Sequence, residues 1–210
     1  MSTRLLLARH GQTDWNVQSR YMGQVDIPLD GVGRHQAALL GRRLAGEALT
    51  AIYTSDLLRA RETAIAIAAH HTCPLIDEIR LREMDFGGWQ GMTYAEIQET
   101  DRINLEAWEA DRLKNAPPGG ESLNEFNSRV EAAYQAIIQS HFEETILMVA
   151  HGGVLKILVC LVLGLPPERY WQIQLSPASL SEIWVYPEGG SLDFLNDTCH
   201  LREEERPGGE

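Results

Sequence analysis

Two stretches decide the reading: Arg4-Leu5-Leu6-Leu7-Ala8-Arg9-His10-Gly11 and Thr145-Ile146-Leu147-Met148-Val149-Ala150-His151-Gly152. Each is a short apolar run that ends in histidine followed by glycine. A run this short, without polar alternation, fits a strand covered on both faces, as in a parallel sheet. In open parallel sheets ligands bind beyond the carboxyl ends of the strands, so both histidines fall on the rim where a site belongs. The glycines permit close backbone approach of a ligand, and each loop leads toward a helix N-terminus, which favours anions.

Working outward, strands alternate with helices. Leu29-Asp30-Gly31 reads as a turn with an N-cap, and Ala37, Leu40 and Leu44 fall at helical spacing between Gly33 and Gly46. Ala51 to Thr54 reads as a strand, Ser55 as the N-cap of an alanine-rich helix to Ala69, and Pro74 to Ile76 as a third strand. Leu81 to Gly91 reads as a loop; Thr93 and Glu96 are spaced as a capping box. Further helices are expected over Asn104 to Leu113, from Glu121 or Ser122 to Ser140, and after Gly153 to Leu163. Leu180 to Tyr186 and Leu192 to Asn196 read as two strands joined by a turn. The expected fold is α/β, a three-layer α/β/α arrangement with a mostly parallel central sheet. We expect one domain over residues 1–202, a mainly helical subdomain at about 83–120, and a disordered tail at 203–210.

A chain of 210 residues with 44% hydrophobic content can bury a full core. Its net charge of -12 argues against nucleic acid, because that affinity needs a basic face. It leaves room for a small phosphorylated metabolite, since a few arginines make a pocket locally positive. The run Val154 to Leu165 contains Lys156 and is too short for a membrane span. No secretory leader is visible. Cys73, Cys160 and Cys199 form no metal or disulfide pattern, which suits a reducing, cytoplasmic setting. His70, His71 and Cys73 lie close together, but no further group completes a metal site, so no metal and no cofactor are expected.

Arg9 and Arg59 add rigid paired donors that match phosphate oxygens, and Arg59 begins a helix after the second strand, within reach of the same rim. Glu83 supplies a carboxyl that can carry a proton to a leaving oxygen. Either histidine alone reads as a satisfied core residue; two of them at matching strand ends beside two arginines point to a phosphoryl group.

The segment Leu7-Ala8-Arg9-His10-Gly11-Gln12-Thr13 resembles the R-H-G signature of the histidine phosphatase superfamily, which includes the cofactor-dependent phosphoglycerate mutases. Trp15-Asn16, Tyr53-Thr54-Ser55-Asp56-Leu57, Leu81-Arg82-Glu83, Gly119-Gly120-Glu121-Ser122-Leu123 and Ala150-His151-Gly152 continue the resemblance in the family's order. The resemblance implies a phosphoglycerate mutase-like fold and a set of roles. His10 would become phosphohistidine; Arg9, Arg59 and His151 would hold the phosphoryl oxygens; Glu83 would protonate the leaving oxygen and then activate water. Asn16, the Gly23 backbone and Gly152 would assist phosphate binding. His200, in Leu195-Asn196-Asp197-Thr198-Cys199-His200-Leu201, resembles part of a C-terminal segment that closes over substrate.

The catalytic set is shared by mutases and phosphatases. Between Glu83 and Gly120 this chain lacks the adjacent arginines with which the mutases hold a substrate carboxylate, so it resembles the phosphatase branch. The substrate candidates are α-ribazole phosphate, phosphoserine or a broad range of monoesters. The alternatives are a mutase and a non-catalytic phosphate-binding protein. Met22 and Gln90 depart from the residues common in related phosphatases. An apolar edge strand near the C-terminus suits a homodimer. The tryptophans read as packing residues.

Overall fold

In the computed structural model, which describes residues 2–205, the two opening stretches lie side by side. Strand β1, Thr3–Arg9, pairs in parallel with β4, Thr145–Ala150, and Leu7 sits opposite Met148. Beyond β4 come β2, Ala51–Thr54, and β3, Leu75–Asp77, both parallel. On the other side, β5, Leu180–Tyr186, and β6, Gly189–Asp197, run antiparallel. The order is β3-β2-β4-β1-β5-β6. Both histidines therefore follow the carboxyl ends of neighbouring central strands.

Side chains along a strand alternate between faces, and here both faces are buried. Leu5, Leu7, Ile146 and Met148 pack under α6, Leu123–Gln139, and α7, Gly152–Leu163. Leu6, Ala8, Leu147 and Val149 pack under α2, Gly31–Leu44, and α3, Leu58–Ala68. Each fully buried leucine contributes about 1.5–3 kcal/mol of transfer free energy, so an apolar run of this kind is stable only between two helical layers. The fold is the three-layer α/β/α arrangement read from the sequence. Two short helices, α4, Tyr94–Thr100, and α5, Arg102–Ala110, enclose a separate cluster of Trp89, Ile97, Leu105 and Trp108.

Several local readings are corrected. Ser55 is not the N-cap of α3; the helix starts at Leu58 after Leu57, with no side-chain cap, and the Ser55 hydroxyl accepts from Leu57 N at 3.3 Å, ahead of the helix, while facing His151 Nε2 at 2.9 Å. The helix expected over Asn104 to Leu113 runs Arg102–Ala110. A four-residue helix α1, Asp14–Val17, and a 3₁₀ segment, Pro167–Gln172, were not anticipated. Of the tail at 203–210, residues 203–205 end a 3₁₀ segment, Cys199–Glu205, and 206–210 lie outside the described residues. No helix among the described residues is long and apolar enough to cross a membrane.

Candidate active site

His10 and His151 face each other with ring centroids 5.2 Å apart. Both are sealed from solvent, at 1% and 0% exposure. His10 Nδ1 lies 2.7 Å from the Gly11 carbonyl. A carbonyl only accepts, so the ring proton sits on Nδ1 and the Nε2 lone pair is left bare. His151 has the opposite assignment. Arg59 Nε, an obligatory donor, lies 3.2 Å from His151 Nδ1, so the proton is on Nε2 and points at Ser55 Oγ, 2.9 Å away.

Arg59 is fully buried, and its other donors reach the carbonyls of Val25 and Gly23 at 2.8 and 2.7 Å. Gly23 has φ of +52°, and a Cβ there would strike the Gln90 amide. The glycine thus allows the turn that brings its carbonyl to Arg59. Arg9 donates from Nη1 to the Leu175 carbonyl at 2.5 Å, while its Nε is buried without a partner among the described residues. A Cβ on Gly152 would sit 3.4 Å from that Nε, in van der Waals contact with the guanidinium edge.

Glu83 lies across from Arg9. Its carboxylate accepts from the backbone N–H groups of Gly153 and Met84, each at 3.0 Å. The loop that carries it is clamped by Arg129 of α6, which donates to the carbonyls of Arg80, Arg82 and Glu83 and pairs with Glu121 at 2.5 Å. Arg9, Asn16, Met22, Glu83, Gly152 and Lys156 share the wall of a cavity of about 430 Å³. The Asn16 carbonyl oxygen accepts from Thr13 N and Oγ1. Met22, the departure noted above, accepts a hydrogen bond from Thr13 Oγ1 at Sδ, 3.3 Å.

Burial first, then the neighbouring Arg59 and Arg9, hold the His10 pKa well below its ordinary value. Burial, Arg59 and His10 do the same to His151. Both rings are neutral near pH 7, and a neutral imidazole is the form that can attack phosphorus. Burial also pushes the Arg59 guanidinium down to about 10. Arg59, fully buried, and Arg9, half-buried, have few carboxylates beside them and gain when an anion supplies the missing charge.

The model of the histidine phosphatase superfamily (branch 1) matches residues 5–198. The chain belongs to this superfamily. Phosphoserine phosphatase 1 of Hydrogenobacter thermophilus is 34% identical over 200 residues, covering 95% of this chain and 95% of that protein. A protein named "Probable phosphoglycerate mutase GpmB" from Photorhabdus laumondii is 34% identical over 218 residues, covering 97% and 99%. The α-ribazole phosphatase structure from Shigella flexneri superposes with a TM-score of 0.87 at 31% identity, covering 92% of this chain and 96% of that one.

In this histidine phosphatase the structure gathers Arg9, His10, Arg59, Glu83 and His151 at one rim, with Asn16, Gly23 and Gly152 beside them. Arg9, Asn16, Glu83 and Gly152 line the cavity, while His10, Gly23, Arg59 and His151 stand behind that lining and His200 lies behind His10. His200 is 3% exposed and its Nε2 lies 3.0 Å from the Ala178 carbonyl, while Ala178 N donates to the His10 carbonyl. His200 thus braces the loop behind His10. Trp15, read as packing, lines the cavity with Tyr21, Tyr94 and Tyr170. Sequence reasoning also missed the roles of Ser55 and Arg129, whose partners are distant in the chain. It passed over Lys156, for which a signal existed: the lysine stands five residues after His151 in an otherwise apolar helix. Among the described residues, no group of three or more His, Cys, Asp or Glu is placed to hold a metal ion.

Proposed function

We propose that this enzyme hydrolyses a small phosphomonoester through a phosphohistidine on His10, without a metal ion. The observation that carries the reading is the pairing of a bare, tautomer-fixed His10 Nε2 with the unmet buried donor of Arg9. In the first step Nε2 attacks phosphorus in line, the P–O bond to the leaving group breaks, and the protonated Glu83 carboxyl gives its proton to the departing oxygen. In the second, the Glu83 carboxylate takes a proton from water, whose oxygen displaces His10 from phosphorus and releases inorganic phosphate. Arg9 and Arg59 stabilise the equatorial oxygens throughout, aided by the Asn16 amide and the backbone at Gly23 and Gly152. His151 joins them by turning its Nε2 proton from Ser55 Oγ to a phosphoryl oxygen.

The substrate candidates remain α-ribazole phosphate, phosphoserine and related monoesters; the relatives named above support this class. The mutase relative favours a second reading, in which the phosphohistidine returns its group to a second hydroxyl. Three unpaired cysteines suit a cytoplasmic enzyme, and the open edge at β6 is the strand through which two copies would pair. The test is phosphate release with excess chelator, wild type against His10→Ala. We expect a loss of at least about a thousandfold in the variant. Equal, near-zero rates in both proteins would reject the phosphatase reading, and 2-phosphoglycerate formation from 3-phosphoglycerate with a bisphosphate primer would establish the mutase.

A further inference from the structure

The chain has two lysines among eighteen basic residues, and one of them, Lys156, interrupts the apolar helix α7. Lys156 stands four residues after Gly152 and three after Gly153, so the three share one helix face, and all three line the 430 Å³ cavity. The neighbours Val154, Leu155, Ile157, Leu158 and Val159 are fully packed into the core. Lys156 is half-buried, and its ammonium makes no hydrogen bond or ion pair among the described residues.

That is an uneconomical place for a cation unless something in the cavity answers it. Burial, then the nearby Arg9, draws the amine toward its neutral form, and Glu83 opposes them. An anion beside the ammonium would reverse that drift. The other cations on the wall are differently placed. Arg20 is committed to Glu96 at 2.9 Å and to the Gly91 carbonyl at 2.6 Å. Arg9 is held by the Leu175 carbonyl and is assigned above to the phosphoryl group. Glu83, assigned above to the leaving oxygen, lines the same cavity as Lys156, and its charge acts on Lys156.

We infer that Lys156 is a specificity-determining residue that pairs with a second anionic group on the leaving group, so that the substrate is a small phosphomonoester bearing a carboxylate or a second phosphate. The inference rests on the phosphatase reading of the His10 site. It favours phosphorylated acids over esters of neutral alcohols.

Matched pairs of esters test it. 3-Phosphoglycerate differs from glycerol 3-phosphate in one carboxylate, as phosphoserine does from phosphoethanolamine; fructose 1,6-bisphosphate differs from fructose 6-phosphate in one phosphate. In the wild type we expect one anionic member to exceed its neutral partner in kcat/KM by roughly tenfold or more, through KM, the value of one charge-assisted pair. Lys156→Met should bring that ratio to within about threefold of unity, and Lys156→Arg should restore it. Whichever pair responds says whether the anion is a carboxylate or a phosphate. A wild-type ratio near unity in every pair, or a ratio unchanged by Lys156→Met, overturns the inference while leaving hydrolysis intact. An equal loss on both members of a pair also overturns it, and assigns Lys156 to Glu83 instead. If no ester releases phosphate, the phosphatase reading has failed by itself. Calorimetric binding of the same pairs to the His10→Ala protein then decides the inference: equal affinity, or no binding, overturns it.

Discussion

Replacing Ser55 with alanine removes the acceptor of the His151 Nε2 proton, 2.9 Å away in a site closed to water. A buried donor left unpaired costs about 1–3 kcal/mol, so Ser55→Ala should lose that much stability in urea denaturation, and Ser55→Thr should recover most of it. An alanine variant as stable as the wild type would mean that His151 carries its proton on the other nitrogen. This residue also marks where the sequence stops being legible. His10, His151, Arg9, Arg59 and Glu83 could be read because strand ends and motif spacing fix their place. Ser55 carried the local signal of a helix cap, but its partner stands 96 residues away in the chain. His200 shows the same limit: its Nε2 lies 3.0 Å from the Ala178 carbonyl, a partner in another loop that its neighbours in sequence do not name.

At the scale of elements, signals that close within one helical turn were readable. The capping box of Thr93 with Glu96 is present as expected, and Ser122 forms another with Glu125. Removing the cap with Ser122→Ala should cost about 1 kcal/mol, read as a shift of the urea midpoint at constant slope. Helix α1 and the segment Pro167–Gln172 escaped because four to six residues carry no clear period. What joins element to element was not readable either. Arg129 on α6 holds three carbonyls of the Glu83 loop, so it positions the Glu83 carboxylate. Arg129→Met should lower kcat by on the order of tenfold to a hundredfold, with a smaller change in KM, because a small misplacement of a reacting group is expensive. An unchanged kcat would show that Gly153 N and Met84 N suffice to place the Glu83 carboxylate.

For the whole molecule, the site constrains how stability responds to acid. His10 and His151 are neutral when folded, because burial and Arg59 depress their pKa, yet each binds a proton near pH 6.5 once unfolded. Below that value the unfolded chain holds more protons than the folded one, so stability falls as pH drops. Above it, their contribution is fully present. Each histidine adds a slope of up to about 1.4 kcal/mol per pH unit. His71 shifts the same way, through burial and His70. The carboxylates of Asp56, Glu78 and Asp197 are depressed below their ordinary values, so their contribution is lost only in more acidic solution. Between pH 6.5 and 5 the loss therefore belongs to the histidines. Unfolding free energies from urea titrations across pH 7.5 to 5 should decline steadily, and His151→Gln should flatten the decline by about one histidine's share. The central strands place both rings where the two helical layers exclude water, so the fold that leaves His10 a free lone pair also makes the enzyme acid-sensitive. A flat profile through this window would mean that both rings take up protons in the folded protein as they do in the unfolded chain, and a protonated His10 has no lone pair with which to attack phosphorus.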